Sequence, residues 1–469
     1  MGLQESPRDF SYKFHRIHGL FVWFVVELIY ESVVCEGIML YSRELEVRYR
    51  PDVLVVGGGA AGVSAAVAAA RMGRRVLLCE SGGCFGGVGT TGLVPSFAAF
   101  SDGENLLCSG IGLEIRRAAC PGVSDMQAWT SIDPERLKRA YDDIIAEAGV
   151  EFLFFTKLCD AAAKNGRIDS CIFTSPEGMF AVQAKIVIDC TGDGEVIALA
   201  GGEFGLGDEN GDVMPATLCS QWTGIDPEEY RKANIPEALE KAIADGLFTY
   251  ADRHLTGLNL RSGALHGGNI GHIFGFRACD NRSASDAMIW GRKSLLEYQE
   301  FYRKYVRGCE NITLSGTANM LGIRESRRIL CDYTLKSRDF LARRKFADEI
   351  GRYCYPIDIH IMNTSDAELE RFNREYRGMK YNAGESYGIP LRALIPHSFT
   401  NAFTAGRCMG ADRQMEASIR VMPGCYITGQ AAGCAAAMAV TSGESRSVAA
   451  SDLQHILWRE GAWIREELR

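Results

Sequence analysis

Short apolar runs and alanine-rich stretches alternate along this chain, bounded by glycine clusters. VLVV at 53–56 is an unbroken apolar run of strand length that ends in GGGAAG at 57–62. That pattern predicts a strand buried on both faces, stopping in a tight turn. From Ala61 to Met72 the chain has the length of a helix and almost no side-chain bulk, and Gly73 ends it. Arg75 to Cys79 predicts a second strand, closing on Glu80. Farther on, Asp133 and Pro134 read as N-cap and first-turn proline of a helix running to Ala148. Asn165 and Gly166 predict the turn between two strands within 151–175. AKIVIDCTGDG at 184–194 is another buried strand meeting a glycine turn, and a long helix is predicted over 284–305. Near the C-terminus a strand ending at Ala405 and Gly406 precedes a second small-residue helix, whose start the pattern places at Thr428 and Gly429.

The first of these units carries chemistry. Gly57, Gly59 and Gly62 stand in the order Gly-x-Gly-x-x-Gly between a strand and a helix, with the acid Glu80 at the end of the following strand. Gly57 permits the sharp turn, Gly59 lets the backbone approach a pyrophosphate, and Gly62 allows the helix to pack closely on the strand. The helix N-terminus offers unpaired N–H groups and the positive end of its dipole to phosphates. Glu80 can accept hydrogen bonds from ribose hydroxyls and would repel a 2′-phosphate. A dinucleotide, FAD or NAD, is therefore expected, and no second Gly-x-Gly-x-x-Gly unit follows for a separate nicotinamide domain.

Composition narrows the picture further. With 469 residues and 47% hydrophobic content the chain can build two or three domains, and a net charge of −8 argues against nucleic acid as a partner. The 16 cysteines are scattered without a C-x-x-C pair, which predicts reduced thiols in a cytoplasmic protein and disfavours zinc ribbons and iron–sulfur clusters; no metal site is expected. Apolar GLFVWFVV at 19–26 is cut short by Glu27 and Glu31, so no membrane span is expected. Residues 1–48 read as an N-terminal extension, with Met39 an alternative start. The remaining organisation is expected to be a first part of the nucleotide-binding domain at 49–205, an inserted α+β substrate domain at 206–394, and the C-terminal part of the nucleotide-binding domain at 395–469.

Several motifs occur in a recognisable order: GGGAAG with Glu80, GGVGTTGLVPSF at 86–97, DGENLLCSGIGLE at 102–114, DCTGDGEV at 189–196, GIRESRR at 322–328, AGR at 405–407, SIRVMP at 418–423 and TGQAAG at 428–433. Together they resemble the FAD-dependent oxidoreductases with a glutathione-reductase-type fold, over 52–457. More distantly they resemble heterodisulfide-reductase-like subunits, whose cysteine runs are missing here. The resemblance implies an α/β, Rossmann-type FAD-binding domain. It assigns Gly57, Gly59, Ala61, Gly62 and Glu80 to the adenosine and pyrophosphate end of FAD, with Thr191 and Gly192 against the same end. Gly86, Gly87 and Thr90 would wrap the pyrophosphate and ribityl chain, and Gly406, Gly429 and Gln430 would lie by the flavin.

For substrate chemistry, Arg324 and Arg327 in GIRESRR can clamp a carboxylate bidentately or pair with Glu325 and other acids. Arg420 precedes the flavin-side helix and suits the flavin or substrate edge. Proton transfer is open to His360, His397, Tyr387, Asp412 and Glu416, and Cys408 is either a redox thiol or a buried one. The expected function is hydride or electron transfer between bound FAD and a small organic, carboxylate-bearing substrate. The alternatives are a flavoprotein hydratase, lyase or isomerase without net redox, and an electron-transfer subunit docking a protein partner. The oligomeric state stays open.

Overall fold

In the computed structural model, which describes Met39 and residues 41–469 other than 256 and 262, the apolar runs assemble a five-stranded parallel sheet. Its strands are β1 (Val53–Val56), β2 (Val76–Cys79), β3 (Glu151–Leu153), β4 (Ile186–Asp189) and β5 (Ala402–Thr404). They lie in the order β5-β4-β1-β2-β3, with Val53 opposite both Val76 and Ile186 and with Ile188 opposite Phe403. Every residue of β1, β2, β4 and β5 is buried, which explains why these strands read as continuous apolar runs rather than alternating ones.

Helix α1 (Ala60–Arg71) connects β1 to β2, as expected. Helix α2 (Pro134–Ala148) starts where predicted: the Asp133 carboxylate accepts from the backbone N–H of Glu135 at 2.9 Å and of Arg136 at 3.2 Å, and Gly149 ends the helix at φ +67°. Asn165 and Gly166 form the left-handed turn between strands Lys157–Lys164 and Arg167–Ser175. Helix α3 (Met422–Ala439) is buried on nearly all sides and lies against α1. Contact is close enough that a Cβ on Gly429 would stand 2.2 Å from the Ala61 carbonyl oxygen, and one on Gly433 2.2 Å from that of Ala65. Alanine and glycine on both helices thus serve the same purpose, bringing two backbones together on one face of the sheet.

A second core, drawn from residues between Val213 and Leu321, surrounds a four-stranded antiparallel sheet and the helix Asn281–Tyr305. Residues 335–394 contribute instead to the core of the five-stranded sheet, through Phe340, Ile350, Tyr353, Ile357, Ile359 and Ile389. The buried residues of the second core thus fall within the 206–394 expected from the sequence. The short strands Glu349–Tyr353 and Tyr387–Pro390 pair with each other, not with the main sheet. Among the described residues no helix is long and apolar enough to cross a membrane. The apolar stretch 19–26 lies outside the described residues.

Candidate functional site

The turn after β1 is shaped by contact as well as by φ. Gly57 sits at φ +95°, and a Cβ there would stand 2.6 Å from the Cys190 carbonyl oxygen; one on Gly62 would stand 1.8 Å from the Gly57 carbonyl. Gly59 faces open space, with nothing within 4 Å of the Cβ position. It is the N-cap of α1, and no side chain caps the free N–H groups of that helix. Glu80 braces both neighbouring turns: Oε2 accepts from the Gly58 N–H at 2.7 Å and Oε1 from the Gly82 N–H at 2.6 Å. Thr191 is held in its own turn, its hydroxyl donating to Asp189 at 2.8 Å and accepting the Glu195 N–H at 2.9 Å.

All of these turns open on one cavity of about 770 Å³. It begins beside Gly57, Glu80 and Gly192, passes Gly86, Gly87 and Gly406, and ends among Arg324, His360 and Arg420. Midway, Arg407 lines it, paired with Asp193 at 2.8 Å and bonded to the Ser326 hydroxyl. The N-terminus of α3 also reaches the cavity through Val421 and Met422, again without a side-chain cap. Two helix N-termini therefore present free N–H groups and positive dipole ends to a single volume.

The inner end is lined by charged groups removed from bulk water. Arg324 is 5% exposed, and its guanidinium donates to the Pro215 carbonyl at 2.8 Å, the Thr217 hydroxyl at 2.9 Å and the Asn269 side-chain oxygen at 3.4 Å. None of these partners is anionic. Burial, and then the charge of Arg420, push Arg324 down to about 10. Arg420 donates to the Asp358 carboxylate at 3.0 Å, while its Nε has no partner. On the segment 357–360, Ile357 and Ile359 turn into the core while Asp358 and His360 line the cavity. His360 Nδ1 meets His272 Nε2 at 2.6 Å, and His272 Nδ1 meets Asp252 at 2.9 Å. The ring of His254 stacks on that of His360, 4.9 Å between centroids. Burial holds His254 down at about 4 and His360, also lowered by the charge of Arg324, well below its ordinary value.

Of the residues singled out from the sequence, Gly57, Gly59, Ala61, Glu80, Gly86, Gly87, Thr191, Gly192, Gly406, Arg324, Arg420 and His360 line the cavity. Others do not. Gly62 is consumed by packing, and Thr90 is buried, its hydroxyl donating to the Phe85 carbonyl at 2.6 Å. Gly429 and Gln430 lie two turns inside α3 rather than at its start. Gly429 abuts α1, and Gln430 reaches the Ile111 N–H and the Glu460 carbonyl. The helix begins earlier because Met422-Pro423 supplies a first-turn proline, a signal the small residues at 428–433 obscured. Arg327 points away, stacking on Phe204 and donating to the Asp193 carbonyl. Cys408 is fully buried against Thr404 at 3.1 Å, and burial pushes its thiol far up, as for a buried rather than a reactive thiol.

Tyr387 is bonded to Ser418 in the core, His397 is exposed, and Asp412 caps a helix. Sequence reading missed Arg407, Asp358, His272 and Asp252. The alternation in PIDIH was the one local signal for Asp358, and nothing in the chain order announced that Asp252 would meet His272.

A family model for FAD dependent oxidoreductase matches residues 52–457. No curated protein matches the chain. Among solved structures, the chain is similar to a geranylgeranyl bacteriochlorophyll reductase-like protein from Thermoplasma acidophilum, at 13% identity and a TM-score of 0.44, covering 88% of this chain and 84% of that one. It is also similar to OxyS anhydrotetracycline hydroxylase from Streptomyces rimosus, at 12% identity and a TM-score of 0.42, covering 88% and 69%.

Proposed function

The chain belongs to the family of FAD-dependent oxidoreductases, and from that premise we propose that it acts on a small organic substrate bearing a carboxylate, held at the inner end of the cavity by Arg324 and Arg420. Its cofactor is FAD, and the residues present suit it: two uncapped helix N-termini and three glycine turns open on one elongated volume. The N-terminus of α1 with Gly57 and Gly59 would hold the pyrophosphate. Glu80, whose Oε2 retains a lone pair beyond the Gly58 N–H it accepts while Oε1 is taken by the Gly82 N–H and the Ser81 hydroxyl, would take a ribose hydroxyl. When bound, FAD supplies two-electron acceptance or donation.

The observation that carries the substrate class is Arg324. A buried cation is stable only when it is paired or fully hydrogen-bonded, and this one is bonded only to neutral oxygens, with Asp358 and Asp252 acting on it through space and without a hydrogen bond. An anionic ligand entering the cavity gains that charge at little cost in reorganisation, and the planar guanidinium favours a carboxylate. Arg420 adds a second positive group, part of whose charge is already neutralised by Asp358.

Anaerobic titration of the FAD-loaded protein with a panel of small carboxylates and their uncharged amides, read by flavin absorbance, tests the proposal. The acids are expected to perturb or bleach the spectrum where the amides do not, and Arg324→Gln to weaken the acids by about 10-fold or more, the loss of one buried charge-assisted hydrogen bond. Equal responses to acid and amide would overturn the carboxylate reading.

A further inference from the structure

Beside Arg324 runs a line of four groups, Asp252, His272 and His360 buried and Asp358 half-buried, and the distances along it decide where its protons sit. Asp252 is 3% exposed and accepts three hydrogens: the backbone N–H of His254 at 2.9 Å, the backbone N–H of His272 at 2.9 Å, and the His272 ring at 2.9 Å from Nδ1. These donors, led by His272, outweigh burial and keep the Asp252 carboxyl below its ordinary value, so it is an anion. A ring nitrogen 2.9 Å from an anionic oxygen must carry a hydrogen. His272 therefore holds its proton on Nδ1 and, as a neutral ring, accepts at Nε2. His360 Nδ1, 2.6 Å away, is then the donor. A neutral His360 protonated at Nδ1 is bare at Nε2.

The opposite assignment fails at the other end. If His360 carried its proton on Nε2 toward Asp358, His272 would have to donate from Nε2 and leave a bare Nδ1 against the Asp252 anion. Asp358 lies at the longer distance, 3.4 Å from His360 Nε2, and is already engaged by Arg420 at 3.0 Å. The long end of the line can lack a hydrogen, and the short end cannot. Around His360 stand Asp358, His272, His254 and Arg324, with Arg420 behind Asp358.

We propose that Asp252, acting through His272, fixes His360 as a base with Nε2 bare toward the cavity, and that the site takes a carboxylate whose α-carbon carries a hydroxyl. The substrate class rests on the carboxylate reading of Arg324. In the oxidative direction the substrate O–H bond breaks and its proton goes to His360 Nε2. The α C–H bond breaks with its electron pair, hydrogen leaving as hydride to the bound flavin as the two-electron acceptor, and the C–O single bond becomes a carbonyl. The new N–H then has Asp358 waiting 3.4 Å away to accept it. His360 is the catalytic base, and His272 and Asp252 are positioning residues.

Two measurements test this on the full chain loaded with FAD. Nitrogen-15 spectra of the labelled histidines report tautomers without any substrate, and His360 is expected neutral, protonated on Nδ1 and bare on Nε2 at pH 7. Asp252→Ala should spread His272 and His360 over both tautomers. A proton on Nε2 of His360 in the unmodified protein overturns the relay. The second measurement compares two isosteric ligands that cannot be oxidised, 2-hydroxy-2-methylpropanoate and 2,2-dimethylpropanoate, by flavin difference spectra. The hydroxy acid should bind about 10-fold tighter or better, because only it donates to the bare nitrogen. In His360→Phe that preference should disappear, the two acids binding alike. Equal binding of the two acids by the unmodified protein, with both weakened by Arg324→Gln, overturns the hydroxyl inference and leaves the carboxylate reading standing. Binding of neither acid overturns both.

Discussion

Replacing Gly429 by alanine separates a packing role from a cofactor role for the TGQAAG stretch. On a solvent-exposed helix the change would stabilise the protein by about 1 kcal/mol through backbone propensity. Here the new methyl would stand 2.2 Å from the Ala61 carbonyl oxygen, so α3 must move away from α1 by about 1 Å to reach ordinary contact. Backbone lies on both sides of the clash, and no flexible side chain can yield. Movement of that size opens gaps along the whole alanine-lined seam, where a separation of 0.5–1 Å forfeits roughly a quarter to a half of each contact. Overpacking costs of about 1–3 kcal/mol, with the lost seam contacts added, outweigh the propensity gain, and a net loss of about 2 kcal/mol is expected. Gly433→Ala, one turn farther along and equally close to the Ala65 carbonyl, should cost as much. Urea unfolding of both variants, loaded with FAD and stripped of it, is the assay. Equal losses in both variants and both states support packing. A Gly429→Ala protein as stable as the parent, with only its FAD affinity reduced, would refute the reasoning and return Gly429 to the cofactor.

Two other outcomes are expected. Glu80→Ala removes a carboxylate that holds the Gly58 and Gly82 N–H groups, so FAD affinity, read by flavin fluorescence, should fall by at least about 10-fold, given that each such charge-assisted bond is worth roughly 1.5–3 kcal/mol; unchanged affinity would show that the turns hold themselves. Glu416 is fully buried beside Glu325, and burial followed by that like charge raises its carboxyl from the ordinary 4.5 to about 8. The folded state therefore keeps a proton that the unfolded state releases, so stability is greatest below pH 4.5 and is lost as pH rises toward 8, by up to ~1.4 kcal/mol per pH unit from this group. Glu416→Gln should flatten the stability profile between pH 5 and 8, and parallel profiles would contradict the assignment.

The nucleotide end of the cavity was legible because its parts are local. Gly57, Gly59, Gly62 and Glu80 are spaced by one β-α-β unit, and the chain's own hydrogen bonds dictate what each position must be. The second small-residue helix was legible as a helix but not in its start. Thr428 looks like a cap and Gly429 like a terminus, yet both are interior because α1 demands small residues wherever α3 crosses it. Small residues mark close approach, and close approach occurs at helix starts and at helix crossings alike.

At the inner end, legibility fails for a different reason. Arg324 and Arg327 are three residues apart in one motif, but the first is buried at the cavity and the second stacks on Phe204. Which one is functional depends on where residues 215–217 and 269 bring their oxygens, and that is fixed by the second core. Asp252, His272, His360 and Arg420 come from four separate segments, and each alone is a polar residue in an irregular stretch. Their meaning lies in proton bookkeeping across the group: the anion at Asp252 determines the state of His272, which determines that of His360. A cofactor motif can be read residue by residue because every position answers to its neighbours in the chain. A base whose protonation is set two rings away answers to the fold, and the fold brings the deciding carboxylate from 108 residues upstream, the separation of Asp252 from His360.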